Sequence, residues 1–112
     1  MARTPQNFTN TTQLSSAAAD IVTDVPSDTF AVVRKLSFRN TGATTRSVTV
    51  YVLASAGTAG ITNELAVKAI PPGKEWNVIL IQGEVLDEGM SVQAKQDAGT
   101  DVNANCSGTL IT

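Results

Sequence analysis

Short apolar runs rich in β-branched residues recur about every ten residues along this chain, each cut off by turn-forming residues. The hardest of these stops is Pro71-Pro72-Gly73. Proline has no N–H to give a central ladder, and glycine turns the chain, so no strand continues through it. Before it, Asp28–Arg39 places Phe30, Val32, Leu36 and Phe38 in one period-two phase. Arg34 falls in the same phase, which an edge, a bulge or a snorkelling side chain would accommodate. Asn40-Thr-Gly-Ala-Thr-Thr supplies turn chemistry, and Ser47–Ala54 alternates again, with Val48, Val50 and Val52 opposite Thr49, Tyr51 and Leu53. These two segments read as a hairpin.

Further strands are expected at Glu64–Ile70 (Leu65, Val67 and Ala69 in phase) and at Glu75–Ile81. In the latter, Trp76, Val78 and Leu80 share a face, with Ile79 and Ile81 opposite, as for a strand covered on both sides. Met90–Gln96 and Val102–Thr112 complete the set. Residues 12–25 mix helix-favouring alanines with an alternating Ile21-Val-Thr-Asp-Val25 before Pro26, and are taken as two short strands with a small-residue link. Seven or eight short strands at such spacing predict an all-β fold, a single antiparallel β-sandwich of jelly-roll type. Residues 1–13, polar and broken by Pro5, are expected as a flexible N-terminal arm. Residues 14–112 are expected as the sandwich domain.

With 112 residues the chain is the size of one domain, long enough to bury roughly two-thirds of its unfolded surface. Charged residues make up only 16%, against 42% apolar. So little charge argues against disorder. It leaves a Thr/Ser/Asn/Ala surface suited to packing among partners. The net charge of −2 and 4% aromatic content speak against nucleic-acid binding, which needs a broad basic face or a stacking platform. The first residues lack the apolar segment of a signal peptide, and Val78–Ile81 is far too short for a membrane span. The expectation is a soluble protein made in a cytoplasm, with no membrane partner.

The chemistry of catalysis is thin. The chain has no histidine, which removes the commonest general base and zinc ligand, and only one cysteine, Cys106, which reads as a small core residue. Asp97 and Asp101 around one turn, and Glu84, Asp87 and Glu88 in another, read as solvated loops. No enzyme activity, metal or cofactor is expected. The charges do separate. Arg34, Lys35, Arg39 and Arg46 crowd the first two strong strands, while Glu84, Asp87, Glu88, Asp97 and Asp101 lie in the last third, opposed only by Lys95. The expectation is a basic surface meeting an acidic protein surface, either a larger partner or a second copy.

The order of the pieces DIVTDVPSDTFAVVRKLSFRNTG, RSVTVYVLASAG, IPPGKEW, VLDEGMSVQAKQDAG and VNANCSGTLIT resembles the small β-sandwich virion proteins of tailed bacteriophages over residues 12–112. Among these, a one-sandwich chain looks most like a capsid decoration, or cement, protein. The resemblance implies a place on the outside of an HK97-type shell, with the major capsid protein as partner and dimers at shell symmetry axes. A neck, tail or baseplate accessory protein is the alternative, and a carbohydrate-binding module, with Trp76 or Tyr51 as its platform, the second. No functional residue carries over from the resemblance. The candidate interface residues are Arg3 and Phe8 in the arm and Arg34, Lys35, Arg39 and Arg46 in the hairpin.

Overall fold

The computed structural model describes residues 2–112 and holds nine strands in two sheets. They are β1 (Arg3–Gln13), β2 (Ala19–Val22), β3 (Phe30–Asn40), β4 (Arg46–Leu53), β5 (Glu64–Ile70), β6 (Glu75–Asn77), β7 (Val85–Leu86), β8 (Ser91–Gln96) and β9 (Val102–Ile111). Sheet A runs β1-β9-β3-β6, with β7 also paired to β3; sheet B runs β2-β8-β4-β5. All pairings are antiparallel. The chain can be traced as one long ribbon whose paired arms are β1·β9, β2·β8, β3·β6–β7 and β4·β5, wrapped so that β9 also bonds β3 and β8 also bonds β4. That is the winding of a jelly roll, and the expected all-β sandwich is what the chain forms.

The core lies between the sheets. Leu36, Phe38, Ala104 and Cys106 from sheet A meet Val22, Val48, Val50, Val92 and Ala94 from sheet B, all at most 2% exposed. Two buried amides pin its ends. The Asn40 side-chain NH2 donates to the Thr44 and Ile70 carbonyls (2.7 and 2.9 Å), and the Gly42 N–H donates to its oxygen (2.9 Å). The Gln96 amide donates to the Leu14 carbonyl (2.6 Å) and accepts from the Asp101 N–H (3.2 Å). No buried side-chain polar atom among the described residues lacks a partner, so both amides are held without an uncompensated desolvation penalty.

Several expectations need correcting. β3 and β4 are no hairpin: they belong to opposite sheets, and the turn beginning at Asn40 crosses from one to the other. Alternation alone cannot separate a hairpin from a crossover, because both show a strand, a turn and a strand.

Residues 3–13 form an edge strand on β9 in place of a flexible arm; Met1 lies outside the described residues. Most β1 side chains are exposed, which is why the segment reads as polar. Backbone pairing and two register shifts, at Asn7/Thr9 and Thr9/Thr12, set its path. The N–H of Thr11, at φ 43°, reaches the Asn105 side chain (2.7 Å).

In β3 the register shifts between Val33 and Lys35, leaving Arg34 as the extra residue. The bulge reverses the phase. Ala31 and Val33 point inward before it, Leu36 and Phe38 after it, so Phe30 and Val32 point out. Between residues 12 and 25 lie the last two residues of β1 and the short strand β2, with Leu14 buried between them. In β5, an edge strand, Ile70 is buried while Val67 and Ala69 are exposed. The segment 75–81 is a strand only as far as Asn77 and then turns into a 3-10 turn, Ile79–Ile81. Val78 and Ile81 are buried, but Ile79 and Leu80 are 73% and 68% exposed.

Candidate interaction surface

Directly opposed residues in an antiparallel pair share a face, so the register of sheet A defines its outer surface. Because Leu36 pairs with Cys106 inside, the pairs Lys35–Ser107, Ser37–Asn105 and Arg39–Asn103 lie outside. On the other side of the bulge the row Val85–Val32–Thr109–Pro5 and the row Phe30–Ile111–Arg3 lie outside. The face therefore has two halves. One is apolar, with Phe30 46% and Val85 53% exposed beside Val32 and Ile111. The other is polar and basic. The bulge at Arg34 is the border between them.

The edge of the sheet follows the same break. The Val78 N–H donates to the Leu36 carbonyl (2.9 Å) and the Gly83 N–H to the Val33 carbonyl (2.7 Å). Between these anchors the chain leaves β3 in the 3-10 turn, where Ile79 and Leu80 project. β6 and β7 thus act as one edge strand, interrupted where β3 bulges.

The candidate residues from the sequence fall into three groups. Arg3, Arg34 and Lys35 are exposed and make no ion pair among the described residues. Arg3 and Lys35 point out of sheet A, and Arg34 lies in a shallow groove with Pro5, Asn7 and Ser107 on that face. Arg39 shares the face but pairs with Glu75 across β6 (3.0 Å), and both side chains are more than half exposed. Arg46 and Phe8 are internal. Arg46 Nε donates to Asp101 (2.8 Å) with side chains 21% and 28% exposed, where the β3–β4 and β8–β9 turns meet. Gly42 and Gly99 sit so close to this pair that a Cβ on Gly42 would collide with Asp101 and one on Gly99 would come within 2.8 Å of Arg46. Asp101 is therefore a structural partner, not a member of a solvated turn. Phe8 is half-buried, packed against the chain's own core. Its ring lies over Gly108, where a Cβ would come within 2.7 Å of it.

The sequence reading missed Phe30 and Val85 as surface residues, and Ile79 and Leu80 as a projecting pair. The signal available was Arg34 in an apolar phase, which marks the bulge. At the apolar end, Asp28, Asp87 and Glu88 gather beside Phe30. The backbone N–H of Asp28, at φ 57°, donates to the Glu88 carboxylate (3.0 Å). These acids form no ion pair among the described residues.

Among the described residues no three His, Cys, Asp or Glu side chains gather as a metal-binding group, and no helix is long and apolar enough to cross a membrane. Burial pushes the Cys106 thiol up to about 12, so it stays protonated and unreactive at ordinary pH. Tyr51 is 6% exposed, and Trp76 is half-buried with its ring 5.7 Å from that of Phe38.

Two solved structures align with nearly the whole chain, and both are of infectious bursal disease virus. The Gx strain structure aligns over 97% of this chain and 31% of its own, at 14% identity and TM-score 0.49. The Gt strain structure aligns over 97% and 29%, at 12% identity and TM-score 0.28. The chain thus spans less than a third of the length of either, and neither alignment bears on its role. No protein-family model matches the sequence, and no curated protein does.

Proposed function

We propose that this protein is a non-catalytic virion component, a decoration protein that binds the outside of an assembled HK97-type phage shell and braces it against internal DNA pressure. The observation that carries the reading is the surface of sheet A. A jelly roll keeps its core between its sheets, yet here Phe30 and Val85 on one outer face, and Ile79 and Leu80 at its edge, stay large, apolar and exposed. Beside them stand Arg3, Arg34 and Lys35 without acid partners among the described residues. Exposed apolar side chains rimmed by unpaired charge suit a protein interface. The sequence resemblance to phage virion β-sandwiches supplies the partner, the major capsid protein. A chain that binds only the assembled shell stabilises it by mass action, multiplied over its copies.

A carbohydrate-binding module would present flat exposed aromatics, and neither Tyr51 nor Trp76 is placed to do so. The test is to add purified protein to particles lacking it and count bound copies by quantitative gel or cryo-microscopy. Hundreds of copies over the shell, with raised heat resistance, are expected. A dozen or fewer at one vertex would make it a neck, tail or baseplate component, and no binding would overturn the virion reading. Replacing Ile79 and Leu80 by Asp is expected to lower the count without unfolding the protein.

A further inference from the structure

We propose that the edges of both sheets are closed to strand addition, and that Pro5 and Lys68 close the two longest of them. A strand-rich chain with so few charges is prone to edge-to-edge pairing, because an open edge offers a ladder of N–H and C=O groups to any other extended chain. Each edge of this sandwich meets that hazard in its own way.

Two edges are closed by the fold. The β2 edge is covered by β1, whose Thr9 hydroxyl donates to the Ile21 carbonyl. The β6–β7 edge presents no continuous ladder, because the chain leaves β3 between Val78 and Gly83 and projects Ile79 and Leu80.

The other two rest on single side chains. At the start of β1, Ala2 and Thr112 exchange both backbone hydrogen bonds (3.0 Å each). Bonded and non-bonded pairs alternate in an antiparallel ladder. The register therefore turns the backbone groups of Thr4 and Gln6 to β9, and those of Arg3, Pro5 and Asn7 to the open edge. Pro5 is the middle one of these three. It has no N–H to offer a newcomer, and its ring stands where one would lie. Beyond Asn7 the two register shifts bend β1 out of line.

On the β8 side of β4, the Ser47 carbonyl accepts from the Asp97 N–H (2.9 Å). By the same alternation Val48 faces β5, and on β5 the backbone groups of Val67 and Ala69 are left facing the open edge. Lys68 lies directly opposite Val48, which is fully buried, so it belongs to the inward-facing row with Ala66 and Ile70. Its side chain is exposed and makes no ion pair among the described residues, so it reaches water sideways, past the open edge. A strand added there would shut the ammonium into an apolar layer, a cost that new ladder bonds do not offset. The faces, not the edges, are left for contact with other molecules. The inference goes beyond the shell-binding reading and does not depend on it.

The test is self-association of the purified chain from micromolar to millimolar concentration, followed by sedimentation velocity, with amide hydrogen exchange on the species formed. Wild type should form no polymer in that range, and Lys68→Val and Pro5→Val should each form one. Both residues are exposed, so both variants should keep wild-type circular dichroism as single chains. In the Lys68→Val polymer the amides of Val67 and Ala69 should become protected, and in the Pro5→Val polymer those of Arg3 and Asn7. Lys68→Thr should behave as Lys68→Val, which separates the loss of charge from the gain of apolar surface. Lys68→Glu keeps a charge in the inward row and should stay unassembled. Lys95→Val is the control: Lys95 lies opposite Thr49 on the outer face of sheet B, on a central strand, so the same exchange is made away from an edge. It should also stay unassembled. The proposal is overturned if Lys68→Val or Pro5→Val stays unassembled, if Lys68→Glu or Lys95→Val assembles as readily, or if the polymers form without new protection at these edge amides.

Discussion

The outer faces of the two sheets meet water differently at their central strands, although each leaves an edge-strand valine, Val67 on sheet B and Val85 on sheet A, 53% exposed. On sheet B, Tyr51 and Leu53 point away from the main core, yet they are only 6% and 1% exposed. The connection after β4, with its 3-10 turn Ile61–Asn63, packs on that strand. On sheet A the outward residues Phe30 and Val85 have no such cover. A jelly roll needs only its inner faces to fold. Where the chain spends its own loop on an outer face, that face becomes part of the stability of the single molecule. Where it leaves apolar side chains bare, as at Phe30 and Val85, that face adds little to the stability of the single molecule.

The contrast would break first at Leu53. Leu53→Ala should destabilise the monomer by about 2–5 kcal/mol, the range for emptying a buried leucine site. Phe30→Ala, measured by urea unfolding at a dilution that keeps the protein monomeric, should cost under about 1 kcal/mol. Equal losses would mean that the two faces do not differ.

A single strand repeats the comparison. In β9, Cys106 points inward and its neighbours Asn105 and Ser107 outward. Burial lifts the thiol from an ordinary value of 9.0 to about 12. The native state then keeps a proton that the unfolded chain gives up, so stability is full below pH 9 and falls as pH rises from about 9 to 12. The slope approaches about 1.4 kcal/mol per pH unit. Cys106→Ala should flatten that part of the stability–pH curve relative to wild type, and parallel curves would show the thiol to be solvated.

At the open sheet's edge, Gly108→Ala tests how β1 is held. A methyl group there would overlap the Val32 carbonyl and press on the Phe8 ring. A loss of about 1–3 kcal/mol is expected, with faster hydrogen exchange concentrated in β1 and β9. Exchange rising evenly over both sheets would show that β1 is not separately held.

The smallest contrast separates two arginines. Arg46→Met removes a half-buried pair at the corner where the sheets meet and should cost about 1–3 kcal/mol. Arg39→Met, on the open face, should cost about 0.2–1 kcal/mol. Similar values in thermal melts would place both pairs in the same solvent environment.

The sequence by itself determined the class of fold. Alternating β-branched runs cut by Asn40-Thr-Gly and Pro71-Pro-Gly demand short antiparallel strands, because side-chain period and turn chemistry are local properties. It also singled out the odd residue, Arg34, though not its consequence. Only the tertiary structure decided which strands share a sheet, since a hairpin and a crossover carry the same local pattern. It turned the supposed arm into β1, because an edge strand held by backbone hydrogen bonds needs few apolar side chains. It paired Arg46 with Asp101 and packed Phe8 partly onto the core, and the bulge in β3 turned Phe30 and Val32 outward, because one extra residue reverses every side chain beyond it.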